Sequence, residues 1–139
     1  MLTNEQITSV KARGFLRNRG TDCFSGRVVT VGGLFKPDEL RAIAECAERY
    51  GNGNVIFTSR LAAEIVGIPF DRIPEAEAFM AERGLYFGGT GAKVRPITAC
   101  KGTTCVYGNI DTQALAKIIY DKFYVGYFQF FKESPHCFP

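Results

Sequence analysis

Residues 27–51 have the sequence RVVTVGGLFKPDELRAIAECAERYG, in which a strand pattern runs directly into a helix pattern. The β-branched run at 27–31 predicts a strand, and the glycine pair after it predicts a bend. Pro37 suits the first turn of a helix, which we expect to span Pro37–Tyr50 and to end at Gly51. Four residues are spaced as the apolar face of that helix: Leu40, Ile43, Ala44 and Ala47.

Helix and strand patterns continue on both sides of this unit. Before it, we expect a short polar helix within residues 1–13 and a loop over residues 17–25. After it, we expect a strand over 54–58, with 61–67 as its continuation or as a further strand, then a helix over 71–83 and a strand over 94–100. A last helix begins at the capping residue Asp111. The residues expected to pack inward from these two helices are Ile73, Ala76, Met80, Leu115, Ile118, Ile119 and Phe123.

This order of elements predicts an α+β protein. The first half fits a split β-α-β, or ferredoxin-like, arrangement, with an antiparallel sheet and helices on one of its faces. The chain has 139 residues, of which 46% are hydrophobic, enough for one compact domain or one domain with an appendage. It contains no membrane-spanning run and no secretory leader, so we expect a cytoplasmic protein.

The chain contains five cysteines, an odd number at irregular spacing, which favours reduced thiols or metal ligands over a disulfide framework. They are Cys23, Cys46, Cys100, Cys105 and Cys137. Cys46 lies beside the apolar face of the 37–50 helix, so we expect a buried, inert thiol there. Cys100 and Cys105 lie in the sequence TACKGTTC, where backbone amides and Lys101 favour thiolates that can bind a metal. A zinc or 4Fe–4S site needs four ligands, so this pair is half a site.

Basic residues are unevenly distributed along the chain, although the net charge is only +3. Residues 11–27 contain five bases and one acid, and residues 84–110 contain Lys93, Arg95 and Lys101 but no acid. Arg60 follows a predicted strand, and its guanidinium group suits a carboxylate or an oxyanion. Two interpretations stay open, a folded face that attracts an anion and ordinary solvated charge. No dinucleotide or P-loop motif is present in the sequence.

Five short stretches occur in a specific order: GFLR at 14–17, AERYGNG at 47–53, FTSR at 57–60, GTGAKVRP at 89–96 and CKGTTC at 100–105. In this order, and continuing into IDTQAL at 110–115, they resemble the siroheme-dependent nitrite and sulfite reductases, especially the compact single-repeat forms of anaerobes. The resemblance covers residues 14–124. It implies an N-terminal arm and loop over 1–25, a ferredoxin-like half domain over 26–90, and the start of a siroheme and 4Fe–4S domain over 91–139.

The resemblance also implies a function and a set of site residues. Cys100 and Cys105 match the first pair of cluster ligands in this family. Arg60 and Arg95 match arginines that face the oxyanion substrate and the siroheme carboxylates, and Lys93 and Lys101 would join them in binding the cofactor. The implied activity is the six-electron reduction of sulfite or nitrite, with electrons from a donor protein.

The sequence departs from the family after the first cysteine pair. The second pair, whose last thiolate bridges the cluster and siroheme in the family, is missing, and residues 133–139 are ESPHCFP. We therefore expect a truncated subunit or fragment with little or no turnover alone and with cofactors absent or incomplete. The alternative is a non-catalytic module that binds anions or nucleic acid. The apolar run at 124–131 predicts a homo-oligomer.

Overall fold

A computed structural model of the chain describes residues 2–91 and 93–125. Our predictions for Cys137 and for the apolar run beyond Val125 concern residues outside these ranges. The regular elements are α1 (Asn4–Lys11), β1 (Phe15–Arg17), β2 (Cys23–Val28), α2 (Pro37–Tyr50), β3 (Val55–Phe57), β4 (Ala63–Pro69), α3 (Ile73–Ala81) and α4 (Thr112–Ile119). Short turns of helix also occur at Phe70–Arg72, Gly102–Thr104 and Tyr120–Val125. None of the described helices is long and apolar enough to cross a membrane.

The four strands form one antiparallel sheet in the order β1-β2-β4-β3. Helix α2 packs on β4 and on α3, and their apolar faces share one core with the strands. The predicted α+β class, with an antiparallel sheet and packed helices, is confirmed. Among the described strands, β3 pairs only with β4 and is an edge of the sheet.

The face that α2 buries differs in part from the predicted one. Ile43 and Ala47 are buried as expected, but the buried positions beside them are Ala42 and Cys46. The prediction that Leu40 and Ala44 pack inward is wrong, because both are exposed. Small side chains at positions 42, 46 and 47 let the helix approach the sheet closely, and this contact sets the rotation of the helix.

The Cys46 thiol is buried, as the sequence predicts. Burial raises the pKa of this thiol to about 12, opposed by nearby Arg83 and reinforced by Glu45. A thiol with such a pKa is protonated at neutral pH and is a poor nucleophile and metal ligand. Cys46 is therefore a small apolar core residue.

The N-terminal strands begin earlier than the sequence predicts. The loop expected over residues 17–25 is wrong at both ends, because Arg17 ends β1 and Cys23 begins β2. Only residues 18–22 form the connection, in which Arg17 donates to the Thr21 carbonyl at 2.8 Å and pairs with Asp22 at 2.6 Å. These polar residues close a hairpin, so that Phe24 occupies the core.

The region after residue 90 also differs from its prediction. The strand expected over 94–100 is reduced to one isolated bridge between Ile97 and Val31, since Pro96 has no N–H to donate. Asp111 caps α4 as predicted and accepts from the Ala114 N–H at 3.0 Å. However, Ala116 is the buried residue of α4, and the inward packing expected of Leu115, Ile118 and Phe123 is wrong, because these side chains are exposed.

Candidate functional site

A cleft of about 790 Å³ separates the glycine turn after β2 from the loop that carries Cys100. Its lining residues are Gly32, Gly33, Leu34, Leu61, Ala99, Cys100, Lys101, Thr103, Thr104, Asp111 and Gln113. Gly33 has a φ of 73°, and a Cβ atom there would lie 2.5 Å from Cβ of Leu61. A side chain at position 33 would therefore be strained in conformation and would collide with the wall of the cleft.

Gln113 attaches the cysteine loop to the half of the chain that forms the sheet. Its Nε2 donates to the carbonyl oxygen of Gly32 at 3.1 Å and to that of Cys100 at 2.8 Å. The N–H of Gly32 also donates to the Ile97 carbonyl at 2.9 Å. We call the two bonds from Gln113 the Gln113 clasp. Because of these bonds, the position of Cys100 depends on the glycine turn.

The Cys100 thiol is exposed and has two hydrogen-bond partners. Sγ lies 3.3 Å from the Thr112 hydroxyl and accepts from the Gly102 N–H at 3.4 Å. These contacts, chiefly the one with Thr112, lower the pKa of the thiol from its ordinary value. Thr112 Oγ1 also donates to the Cys100 carbonyl at 2.9 Å. The same carbonyl accepts a second hydrogen bond, from Gln113 Nε2. The hydroxyl proton can therefore turn to a thiolate without leaving that carbonyl unpaired.

Replacing Thr112 by valine is expected to raise the pKa of the Cys100 thiol. The change removes the hydroxyl that stabilises the thiolate and keeps a side chain of the same shape. The pH dependence of alkylation at Cys100, followed by mass spectrometry of that peptide, should shift to higher pH. Thr103→Val, an exposed change in the same loop, is the control and should leave the profile in place. An unshifted profile in Thr112→Val would contradict the assigned role.

Replacing Gln113 by alanine is expected to loosen the cysteine loop more than the sheet. The variant loses both bonds of the clasp, at about 1 kcal/mol each. Backbone amides at 97–105 should exchange with deuterium several times faster, while those of β2 and β4 should keep their rates. Equal acceleration in the strands would mean that Gln113 supports the whole fold rather than the loop.

Of the other predicted site residues, only Lys101 is among those that line the cleft. Cys105 is half-buried one helical turn after Cys100, with its N–H donating to the Gly102 carbonyl at 3.0 Å. Arg60 is exposed in the turn that precedes Leu61. Arg95 is exposed and donates to the Gly91 carbonyl at 3.4 Å. Arg60, Arg95 and Lys93 are not among the residues that line the cleft, so their roles stay predictions.

Three of the five basic residues at 11–27 form ion pairs with acids. Arg13 pairs with Glu77, Arg17 with Asp22 at 2.6 Å, and Arg27 with Glu64 at 2.7 Å. Ordinary paired charge therefore accounts for these three arginines. By contrast, Arg60 and Lys101 form no ion pair with any residue within 2–91 or 93–125, so their charge is available to an anion.

The donor set for a metal is incomplete among the residues that the structure describes. No group of three or more His, Cys, Asp or Glu side chains comes together there. Cys100 and Cys105 supply two thiols, whereas a 4Fe–4S cluster takes four ligands. The described residues of one chain therefore do not fit a whole cluster, and the role of the two cysteines as ligands stays a prediction.

Sequence reasoning missed three residues that hold the cysteine loop: Gly32, Thr112 and Gln113. The signal for the last two was the sequence IDTQAL at 110–115, in which they follow the capping residue Asp111. Their side chains turn back to the Cys100 loop, which a local pattern does not reveal.

Residues 17–83 match the family described as the nitrite/sulfite reductase ferredoxin-like half domain. Two relatives come from Methanocaldococcus jannaschii. The coenzyme F420-dependent sulfite reductase is 38% identical over 93 residues, and an uncharacterized protein is 30% identical over 102 residues. The matches cover 66% and 73% of this chain. They span only 15% and 37% of those relatives, respectively.

A solved structure shares the fold. The crystal structure of dissimilatory sulfite reductase I superposes with a TM-score of 0.67 over 73% of this chain and 24% of the other, at 19% identity. The sheet and its helices therefore define a ferredoxin-like α+β half domain. The sequence matches identify residues 17–83 as a nitrite/sulfite reductase ferredoxin-like half domain, as the sequence resemblance predicted.

Proposed function

We propose that this chain is a subunit or fragment of a siroheme- and 4Fe–4S-dependent sulfite or nitrite reductase and has little or no turnover alone. The match to the nitrite/sulfite reductase half domain supports the reaction class. The observation that carries the proposal is the position of Cys100, an exposed thiol with a lowered pKa that the Gln113 clasp holds to the half domain. Such a thiol is suited to metal binding.

The proposed metal site uses Cys100 and Cys105 as two of four cluster ligands. The N–H of Gly102 and the hydroxyl of Thr112 would stabilise the charge on Cys100 sulfur, as hydrogen bonds to thiolates do in cluster proteins. The other two ligands would have to come from outside the described residues. When bound, the cluster and siroheme would supply electrons delivered by a donor protein, which we place with this chain in the cytoplasm.

The proposed anion site uses side chains of two chemical types. Arg60 and Arg95 carry guanidinium groups, whose planar donors match the oxygens of sulfite, nitrite or a siroheme carboxylate. Lys93 and Lys101 add positive charge as ammonium groups. Lys101 supports this role best, because it lines the cleft beside Cys100.

Anaerobic reconstitution with iron, sulfide and siroheme tests the proposal. We expect fewer than four irons per chain and no sulfite or nitrite reduction by the chain alone. The iron that is retained should fall sharply in Cys100→Ser and in Cys105→Ser. The matched control is Cys23→Ser, which changes a half-buried cysteine in β2 and should retain the wild-type amount.

Two results would contradict parts of this proposal. Equal iron retention in Cys100→Ser and Cys23→Ser would show that the cysteine loop is not the ligand pair. Four irons per chain with oxyanion reduction would show that the chain is active alone. Iron-free protein that binds oligonucleotide with a steep salt dependence would instead support the non-catalytic alternative.

A further inference from the structure

We propose that β3 is a homodimer interface, at which the edge strands of two copies pair antiparallel and extend the sheet across a two-fold axis. Strand β3 consists of Val55, Ile56 and Phe57 and pairs on one side with β4. Dimerisation through β3 is measured as molecular mass, so its outcome is separate from that of the proposed reductase function.

The backbone of β3 presents hydrogen-bonding groups to its open side. The carbonyl of Asn54 accepts from Val66, and the N–H of Thr58 donates to Ala62, both toward β4. Because the pattern alternates along an antiparallel strand, Ile56 also faces β4, and the N–H and carbonyl groups of Val55 and Phe57 face away. No other described strand pairs with β3 on that side.

This arrangement is self-complementary. If the two-fold axis passes between the two copies of Ile56, Val55 of each copy lies opposite Phe57 of the other. Those two pairs exchange hydrogen bonds, and the two Ile56 side chains form the closely spaced pair without hydrogen bonds. A second copy of the chain is therefore the occupant that uses every open backbone group of β3.

The side chains around β3 favour the same partner. Ile56 is 55% exposed and Phe57 is 63% exposed. The Phe57 ring lies against the Phe35 ring, with centroids 6.1 Å apart, so a second aromatic side chain flanks this edge. Natural edge strands are commonly protected by charges or proline, and residues 52–59, NGNVIFTS, contain neither.

Charge and area predict a specific but weak dimer. Antiparallel pairing about Ile56 places uncharged residues opposite one another along the whole of residues 53–59, so no like charges meet there. We expect the pairing of two three-residue strands to bury less than the about 800 Å² per partner of a standard interface. We therefore expect dissociation in the micromolar to submillimolar range.

Sedimentation equilibrium of the full chain over a range of concentrations tests the proposal. The wild type should form a dimer, and Ile56→Lys should weaken association about tenfold or more, because two ammonium groups meet at the axis. The matched control is Ile118→Lys on α4, which changes a similarly exposed isoleucine and should leave association unchanged. Circular dichroism shows whether each variant is folded, and Ile56→Thr replaces Ile56→Lys if the latter does not fold.

A mixing experiment tests the pairing itself. Ile56→Lys and Ile56→Glu should each be monomeric, and their equimolar mixture should form a heterodimer, since opposite charges then lie across the axis. A wild type that stays monomeric, an Ile56→Lys variant that associates as tightly as the wild type, loss of dimer in Ile118→Lys, or a mixture that associates no better than its separate components would each overturn the proposal.

Discussion

Replacing Ile43 by alanine is expected to lower the free energy of unfolding by about 2–5 kcal/mol. The side chain is 2% exposed and lies in the core between α2 and the sheet, so its loss leaves a cavity that small neighbours such as Ala42 and Ala47 cannot fill. Urea denaturation followed by circular dichroism measures the change. A marginally stable domain would lose much of its total stability through this one substitution.

Leu40→Ala is the matched control for this prediction. Leu40 lies on the same helix, and the sequence pattern alone assigns it to the same buried face. In the structure it is 41% exposed, so its truncation should cost less than about 1 kcal/mol. Equal losses in the two variants would mean that α2 is rotated from the orientation described above.

Replacing Glu64 by leucine is expected to destabilise the fold by about 3–5 kcal/mol. Glu64 is the partner of Arg27, whose Nε donates to Oε1 at 2.8 Å, while Nη1 donates to the Gly89 carbonyl at 3.1 Å. The two side chains are only 15% and 11% exposed, respectively. Without the carboxylate, the guanidinium charge stays buried and unpaired, and thermal or denaturant unfolding measures the loss.

The double variant Arg27→Met with Glu64→Leu should recover most of that loss, because it removes both charges and fills the same volume. Glu77→Leu is the control, since it removes the partner of the more exposed Arg13 and should cost less than about 1 kcal/mol. A double variant as unstable as Glu64→Leu would show that shape, not the unpaired charge, sets the cost.

Elements with local signals could be predicted from the sequence. Pro37 and the acids after it locate the start of α2, Asp111 locates α4, and the buried face of α3 has the expected residues. The errors concern pairing between distant segments. Residues 17–25 are rich in Gly, Asn, Thr and Asp, which is typical of a loop, yet residues 23–25 lie in a strand because they pair with β1 or β4.

For the candidate site, the sequence predicted the reactive and charged side chains but not the residues that hold them in position. Cys100 and Lys101 carry local signals, a thiol and a cation in a glycine- and threonine-rich loop, and they share one cleft. The residues that hold this loop were missed because their bonds join distant parts of the chain. Gln113 and Gly32, for example, are 81 residues apart.

That separation has a consequence for the order in which the protein folds. Closing a flexible loop of this length costs on the order of 4 kcal/mol in chain entropy, more than the about 1 kcal/mol that the hydrogen bond to Gly32 returns. The Gln113 clasp therefore cannot form in an unfolded chain, and the sheet must first bring its ends near each other. The Cys100 thiol is therefore expected to take its position only after the sheet has formed, and until then iron or an oxidant can reach it before it is positioned.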